Sequence, residues 1–131
     1  MTNYTAYHDQ DTPPANYPYT GVFQHVAREF QMDKSDVAAF VGLDEDIMER
    51  AGRILKDPEA AGLKPQQWQP KTFQTMAALI EVYRLFDGVV EIREFLNSPS
   101  AGLDDHTPKD IVINGDEHDI GEMANALRYN F

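Results

Sequence analysis

The helix order near the end of the chain is set by residues 107–127, which read TPKDIVINGDEHDIGEMANAL. Thr107 supplies a hydroxyl that can cap a helix, and Pro108 suits the first helical position. Gly115 is a stop signal, and Asp116 begins a following helix. The stretch therefore predicts two short consecutive helices. The second carries its apolar residues at helical spacing, at Ile120, Met123, Ala124 and Leu127.

Upstream of this stretch, the pattern predicts a long central helix from about Thr72 to Phe86, ended by Asp87-Gly88. A further helix precedes the break at Asn97-Ser98-Pro99, and a loop follows from Ser100 to His106. The central helix is predicted to join two lobes of the protein. Its expected apolar stripe comprises Phe73, Met76, Ala77, Leu79, Ile80, Val82 and Tyr83, and the next helix uses Val89, Ile92, Phe95 and Leu96.

The first half of the chain predicts three short helices with tight turns. Asp33 or Ser35 can cap the second helix, Gly42 ends it, and Asp44 can cap the third. The apolar positions are Val22, Phe23, Val26 and Phe30 in the first helix, Val37, Phe40 and Val41 in the second, and Ile47, Met48 and Ile54 in the third.

The spacing of Ala38, Gly42, Leu43 and Met48 resembles a helix-turn-helix. A DNA-reading helix should present basic or amide side chains to the bases, whereas this one begins Asp44-Glu45-Asp46 and adds Glu49. We interpret it as a degenerate helix-turn-helix that serves as structure or as a dimer contact, with a working DNA reader as the alternative.

Two other segments are predicted to lie outside regular helices. Residues 1–20 are rich in tyrosine and proline and are expected to form a disordered tail, or to dock on the folded part or on a partner. Residues 56–70 are expected to form a connecting loop that Trp68 pins to the core, with ligand recognition by Trp68 as the alternative. The prediction is thus an all-α protein with a tail (1–20), a helix-turn-helix-like lobe and loop (21–70), and the long helix with a small C-terminal lobe (71–131).

Composition limits the class of protein. The chain has 131 residues, a hydrophobic fraction of 42% and no cysteine, which suit one soluble domain without disulfides. No apolar run is long enough to span a membrane and no secretory signal is recognisable, so a cytoplasmic location is expected. The formal charge of −11 opposes autonomous nucleic-acid binding. It favours a basic cleft on a protein partner, or simply solubility.

Catalytic patterns are missing from the sequence. It contains no nucleophile elbow and no glycine-rich phosphate loop, and its histidines lack metal-ligand spacing. Acids near His118 are explained by the preference for carboxylates at a helix N-terminus. We therefore expect neither enzymatic activity, nor a cofactor, nor a metal site.

Several short motifs carry a resemblance to a known family. Leu85-Phe86-Asp87-Gly88, Phe95-Leu96-Asn97-Ser98-Pro99, Gly102-Leu103, Thr107-Pro108-Lys109-Asp110-Ile111-Val112 and Gly115 resemble the toxin-binding domain of Xre/MbcA/ParS-type antitoxins. The degenerate helix-turn-helix and the long helix match that family's N-terminal half, so the resemblance covers about residues 21–131. The chain departs from the family pattern at Phe95, where the family often has Trp. It departs again at Asp104-Asp105, where the family often has two glycines.

The resemblance implies an all-helical bacterial antitoxin that neutralises a RES-domain, NAD-consuming toxin. In that family the C-terminal segment covers the active site of the toxin. The role carries over to Leu127, Arg128, Tyr129, Asn130 and Phe131, where aromatic rings, an arginine and a terminal carboxylate could enter a cleft that accepts an anionic dinucleotide. The alternative is that Tyr129 and Phe131 pack on the core of this chain.

Two further functions remain open. The protein could be a DNA-binding autoregulator of its own operon, with DNA binding expected only within a toxin complex. It could also be an adaptor for another protein partner. A homodimer through the N-terminal lobe is the expected assembly.

Overall fold

The computed structural model describes residues 14–42 and 50–131, and the fold is all-α, as predicted. Apart from the helices, these residues include a 3-10 turn at Ala101–Leu103 and a single bridge between Ser100 and His106. The α-helices are α1 (Tyr19–Glu29), α2 (Lys34–Phe40), α3 (Ala51–Lys56), α4 (Pro65–Leu85), α5 (Val89–Leu96), α6 (Pro108–Asn114) and α7 (Glu117–Tyr129).

The predicted starts of the last two helices are confirmed. The hydroxyl of Thr107 accepts the backbone N–H of Asp110 at 2.9 Å, and Pro108 is the first residue of α6. At the start of α7, Asp116 and Asp119 each accept the other's backbone N–H, at 2.9 and 3.0 Å. These bonds satisfy amide groups that a helix leaves free at its N-terminus, and they lower the pKa of Asp116.

The long helix begins earlier than the sequence predicted. It starts at Pro65 rather than near Thr72, so the second half of the predicted loop 56–70 is helical and Pro70 lies inside the helix. Trp68 is 1% exposed and belongs to the core, as expected, but from a helix rather than from a loop. Pro70 removes one hydrogen bond near the start of the helix, and burial of Trp68 offsets that loss.

The predicted apolar stripe of this helix is also corrected. Leu79 and Val82 are buried as expected, but Ile80 is 41% exposed. Phe73, Met76 and Tyr83 only flank the core. The most deeply buried face of α4 instead includes two threonines, whose polar side chains do not fit the apolar pattern expected from the sequence. The residues of this face follow at spacings of four and three, and they are Trp68, Thr72, Thr75, Leu79 and Val82.

Tyr17 and Tyr19, near the end of the predicted tail, pack on the folded part of the chain. Tyr19 begins α1, is 6% exposed and stands edge-on to Trp68, with ring centroids 6.0 Å apart. Tyr17 makes a similar edge contact with Phe73 at 5.2 Å. Aromatic burial therefore fixes residues 17–20 on α4, and the rest of the tail prediction, residues 1–13, falls outside the described residues.

The described residues include only the first half of the predicted helix-turn-helix. Asp33 caps α2 through a reciprocal pair of bonds with Asp36, and Gly42 follows that helix with a φ of 71°. Ile54 is buried in α3 as expected. Of the predicted third helix, Asp44, Ile47 and Met48 lie outside the described residues, as do Leu43, Glu45, Asp46 and Glu49.

One hydrophobic core runs through both halves of the described chain. It joins residues of α1 and α2 to residues of α6 and α7 across the central helix. The most extensive helix pairing is that of α4 with α7, and α1 also packs on α4. Within the described residues, no helix combines the length and the apolar character that a membrane crossing requires.

Lys71 links three helices beside this core. Its ammonium donates to the backbone oxygen of Ile113 at 3.0 Å and lies 4.6 Å from the ring centroid of Phe40. Burial lowers the pKa of Lys71 to about 8, although the carboxylates of Asp116 and Asp119 favour its charged form. The ammonium thus supports the C-terminus of α6 while remaining partly desolvated.

This placement predicts a pH-dependent stability. Below about pH 8, Lys71 is protonated in both the folded and the unfolded chain, so it adds no pH dependence. Between pH 8 and its ordinary pKa of 10.5, the unfolded chain holds a proton that the folded chain lacks. The free energy of unfolding should therefore rise with pH, by at most about 1.4 kcal/mol per pH unit for one proton.

Urea unfolding of the wild type and of Lys71→Met across pH 8 to 9.5 measures this slope. This window ends below the region where the raised pKa values of Tyr17, Tyr19 and Tyr83 act with the opposite sign. The slope should flatten in Lys71→Met and persist in Lys64→Met, which removes an exposed lysine. Equal slopes in all three proteins would contradict the assignment.

Candidate partner-binding site

The residues predicted to bind a partner lie at the end of the last helix, and their side chains point in different directions. Tyr129 is 74% exposed and Phe131 is 44% exposed, while Leu127 is 2% exposed. Asn130 follows the helix, is exposed, and donates its backbone N–H to Ala126 at 2.8 Å. The structure therefore brings Tyr129, Asn130 and Phe131 to the surface, whereas Leu127 lies in the core and is corrected from a contact residue to a supporting one.

Arg128 is held in place by an ion pair. Its guanidinium meets the carboxylate of Glu81, on α4, at 2.9 Å, and the side chain of Glu81 is only 5% exposed. Arg84 approaches the same carboxylate at 3.3 Å from the solvent side, with 66% of its side chain exposed. The hydrogen bond to Glu81 raises the pKa of Arg128. The end of α7 is thereby fixed to α4.

Phe131 packs on neighbouring elements of its own chain. Its ring stands edge-on to Phe95 of α5, with centroids 5.7 Å apart. It also covers Gly102, where an added Cβ would lie only 2.7 Å from the ring. The alternative considered for the chain end thus applies in part, because Phe131 is half-packed while Tyr129 remains free of the core.

Exposed apolar side chains gather around this chain end. Phe86 and Phe95 lie 5.0 Å apart, so Phe86, Phe95 and Phe131 form a continuous aromatic row from the end of α4 to the end of the chain. Such clustering is typical of protein interaction surfaces. Further exposed apolar residues are Leu85 at the end of α4, Val89 and Val90 at the start of α5, and Tyr129 at the end of α7.

Sequence reasoning missed two residues that shape the site. Glu81 was one acid among 22, and only the structure identifies it as buried beneath Arg128. Gly102 was read only as part of a family motif, although a glycine in a short turn can signal close approach of another group.

The three histidines that the structure describes each contact a separate partner. His25 bonds the hydroxyl of Tyr83 at 2.8 Å, while His106 and His118 face single carboxylates four residues further along the chain. His8 lies outside the described residues. Across residues 14–42 and 50–131, no group of three or more histidines and acids is placed to hold a metal ion. Chemically, the arrangement is suited to binding a protein surface.

Glu81 meets two arginines, and the loss of each should have a different cost. Arg128→Ala leaves a buried carboxylate with one partner fewer, and should lower the free energy of unfolding by about 1–3 kcal/mol. Arg84→Ala removes a mostly exposed arginine that meets Glu81 from three residues along the same helix, and should cost less than about 0.5 kcal/mol. Urea unfolding of both variants measures the difference.

The double variant Glu81→Met with Arg128→Met tests the cause. Removing both charges should restore much of the stability lost in Arg128→Ala, since no carboxylate then remains buried without its partner. Equal losses in the two arginine variants would argue against a buried pair that anchors α7.

Comparison with known proteins adds no relative. The sequence matches no protein-family model, and it matches neither a curated protein nor a solved structure. The proposed function therefore rests on the side chains and contacts described above and on the motif resemblance.

Proposed function

We propose that this protein is the antitoxin of a type II toxin-antitoxin pair. It neutralises a RES-type toxin that consumes NAD by covering the active site of the toxin with residues 128–131. The observation that carries the proposal is the end of α7. There the Glu81 and Arg128 pair fixes the helix and leaves the ring of Tyr129 74% exposed. A solvent-exposed aromatic ring on a fixed helix end is the type of anchor that interfaces use.

Two of the three glycines in the resemblance, Gly102 and Gly115, lie where a side chain would have too little room. A Cβ at Gly115 would lie 2.5 Å from the backbone oxygen of Ile111, and a Cβ at Gly102 would meet Phe131. Both are distances that a side chain cannot accept without movement of its neighbours. These steric requirements support the motif reading, because they give its glycines a structural purpose.

The departures from the family pattern also preserve its physical character. Asp104 and Asp105 have φ values of 55° and 63°, in the left-handed region that glycine occupies most easily. Phe95 stands where the family often has Trp, and it supplies an aromatic ring between Phe86 and Phe131. The backbone and the aromatic packing at these positions therefore suit the proposed toxin-binding lobe.

Substitution of exposed residues tests neutralisation without disturbing the core. Deleting residues 128–131 would also strip Glu81 of Arg128, so Tyr129→Ala combined with Asn130→Ala is the sharper variant. We expect it to fold with unchanged stability and to lose protection of cells that co-express the toxin encoded beside it. The rate of NAD loss and cell growth are the measurements.

Ile80→Ala is the matched control, because it removes an exposed apolar side chain from the solvent face of α4. It should protect as well as the wild type does. If the Tyr129→Ala and Asn130→Ala variant kept full protection at equal expression, occlusion by this segment would be refuted.

A further inference from the structure

A groove lies beside the chain end, between the 100–106 loop, α6 and α7. Its volume is about 470 Å³, and apolar atoms of Leu103, Ile111, Met123 and Ala126 form its base. Leu103 and Met123 are themselves buried, so the base is rigid core rather than mobile surface. An occupant of the groove would therefore rest its apolar part on a preformed floor.

Carboxylates border this floor from three directions. Asp104 comes from the loop, Asp110 from α6, and Asp119 and Glu122 from α7. Asp110 and Asp119 also serve the helices, since Asp110 accepts from Asn114 and Asp119 caps α7. Glu122 faces the exposed His118, whose Nε2 lies 3.0 Å from a carboxylate oxygen of Glu122.

Among the described residues that line the groove there is no lysine or arginine, and its basic side chain is His106, which lies 3.9 Å from Asp110. Lys109 pairs with Asp36 at 3.3 Å and Arg128 pairs with Glu81, while Lys71, bonded to Ile113, also interacts electrostatically with Asp119. The groove thus combines an apolar base with a border on which carboxylates outnumber basic side chains. A lysine or arginine side chain has matching chemistry, because its methylene stem can lie on the base while its cationic head meets the carboxylates.

The groove is continuous with the proposed site. Along α7, Asp119, Glu122, Ala126 and Tyr129 follow at spacings of three and four residues, which places them on one helix face. At the loop side, Gly102 both lines the groove and lies beneath Phe131. A partner that covers Tyr129 would therefore extend naturally over the groove.

We infer that the groove between the 100–106 loop, α6 and α7 receives an arginine- or lysine-bearing segment of the protein partner. This inference rests on the proposed function for the identity of the partner, but its chemistry stands on the groove alone. The segment adds a second contact to the one made by Tyr129.

A peptide probe tests the groove without any toxin. The probe is a short, end-blocked peptide with leucine and arginine at helical spacing, and its matched partner carries neutral citrulline in place of arginine. Amide chemical shifts of the full chain, followed by NMR, should change around Gly102, Ile111 and Met123 with the arginine peptide. The citrulline peptide should bind at least about tenfold more weakly, because charge-assisted hydrogen bonds are lost.

The decisive variant is Asp104→Asn with Glu122→Gln, since asparagine also tolerates a positive φ. It should weaken binding of the arginine peptide by about tenfold or more. Asp57→Asn with Glu59→Gln removes the same charge from exposed positions between α3 and α4, and should leave binding unchanged. Equal weakening in both variants, or shift changes away from the groove, would overturn the inference in favour of general charge attraction.

The same variants separate this inference from the proposed function. If the groove variant binds the arginine peptide weakly and also protects cells less well, both stand. If the groove variant protects fully while the Tyr129→Ala and Asn130→Ala variant fails, the groove is not the partner contact and the antitoxin proposal survives. If neither variant loses protection, the proposed function falls, while the peptide result still decides whether the groove binds cations.

Discussion

The packing of α7 along α4 is the constraint on which the other features depend. The buried residues of α7, from Ile120 to Leu127, join the same core as the stripe from Trp68 to Val82. Burial of one such aliphatic side chain contributes roughly 1.5–3 kcal/mol, so the pairing outweighs any single surface contact. Because Glu81 and Arg128 close this pairing at its far end, they fix where α7 stops and where the residues after it lie.

Helix ends could be predicted from the sequence wherever they depend on residues that are adjacent in the chain. Thr107 was predicted as a cap and Asp116 as the start of the last helix. Both residues cap their helices, because the accepting oxygen and the donated N–H are only three residues apart. Gly42 was predicted as a stop and has the positive φ that a stop requires. The all-α class follows from such signals, since each needs no knowledge of distant parts of the chain.

Features that depend on contacts between residues far apart in the sequence could not be predicted in this way. The stripe on α4 was misplaced because Thr72 and Thr75 read as polar, although both are fully buried. The start of α4 was misplaced because Pro70 reads as a helix boundary, and only the aromatic contacts of Trp68 outweigh that preference. At the candidate site, Leu127 was assigned both to the apolar face of α7 and to the partner contacts, and the packing of α7 on α4 decides between the two, since Leu127 is buried while Tyr129 is exposed.

The strong negative charge has different meanings at different positions. Asp33, Asp116 and Asp119 serve helix ends, and Glu81 anchors α7, so these acids are explained by the fold itself. Net charge alone therefore says little about a partner. Asp104 and Glu122 differ, because they border an apolar groove whose described lining holds no lysine or arginine. A carboxylate that neither caps a helix nor meets a lysine or arginine is one that a partner can use, and Glu122 lies on the same face of α7 as Tyr129.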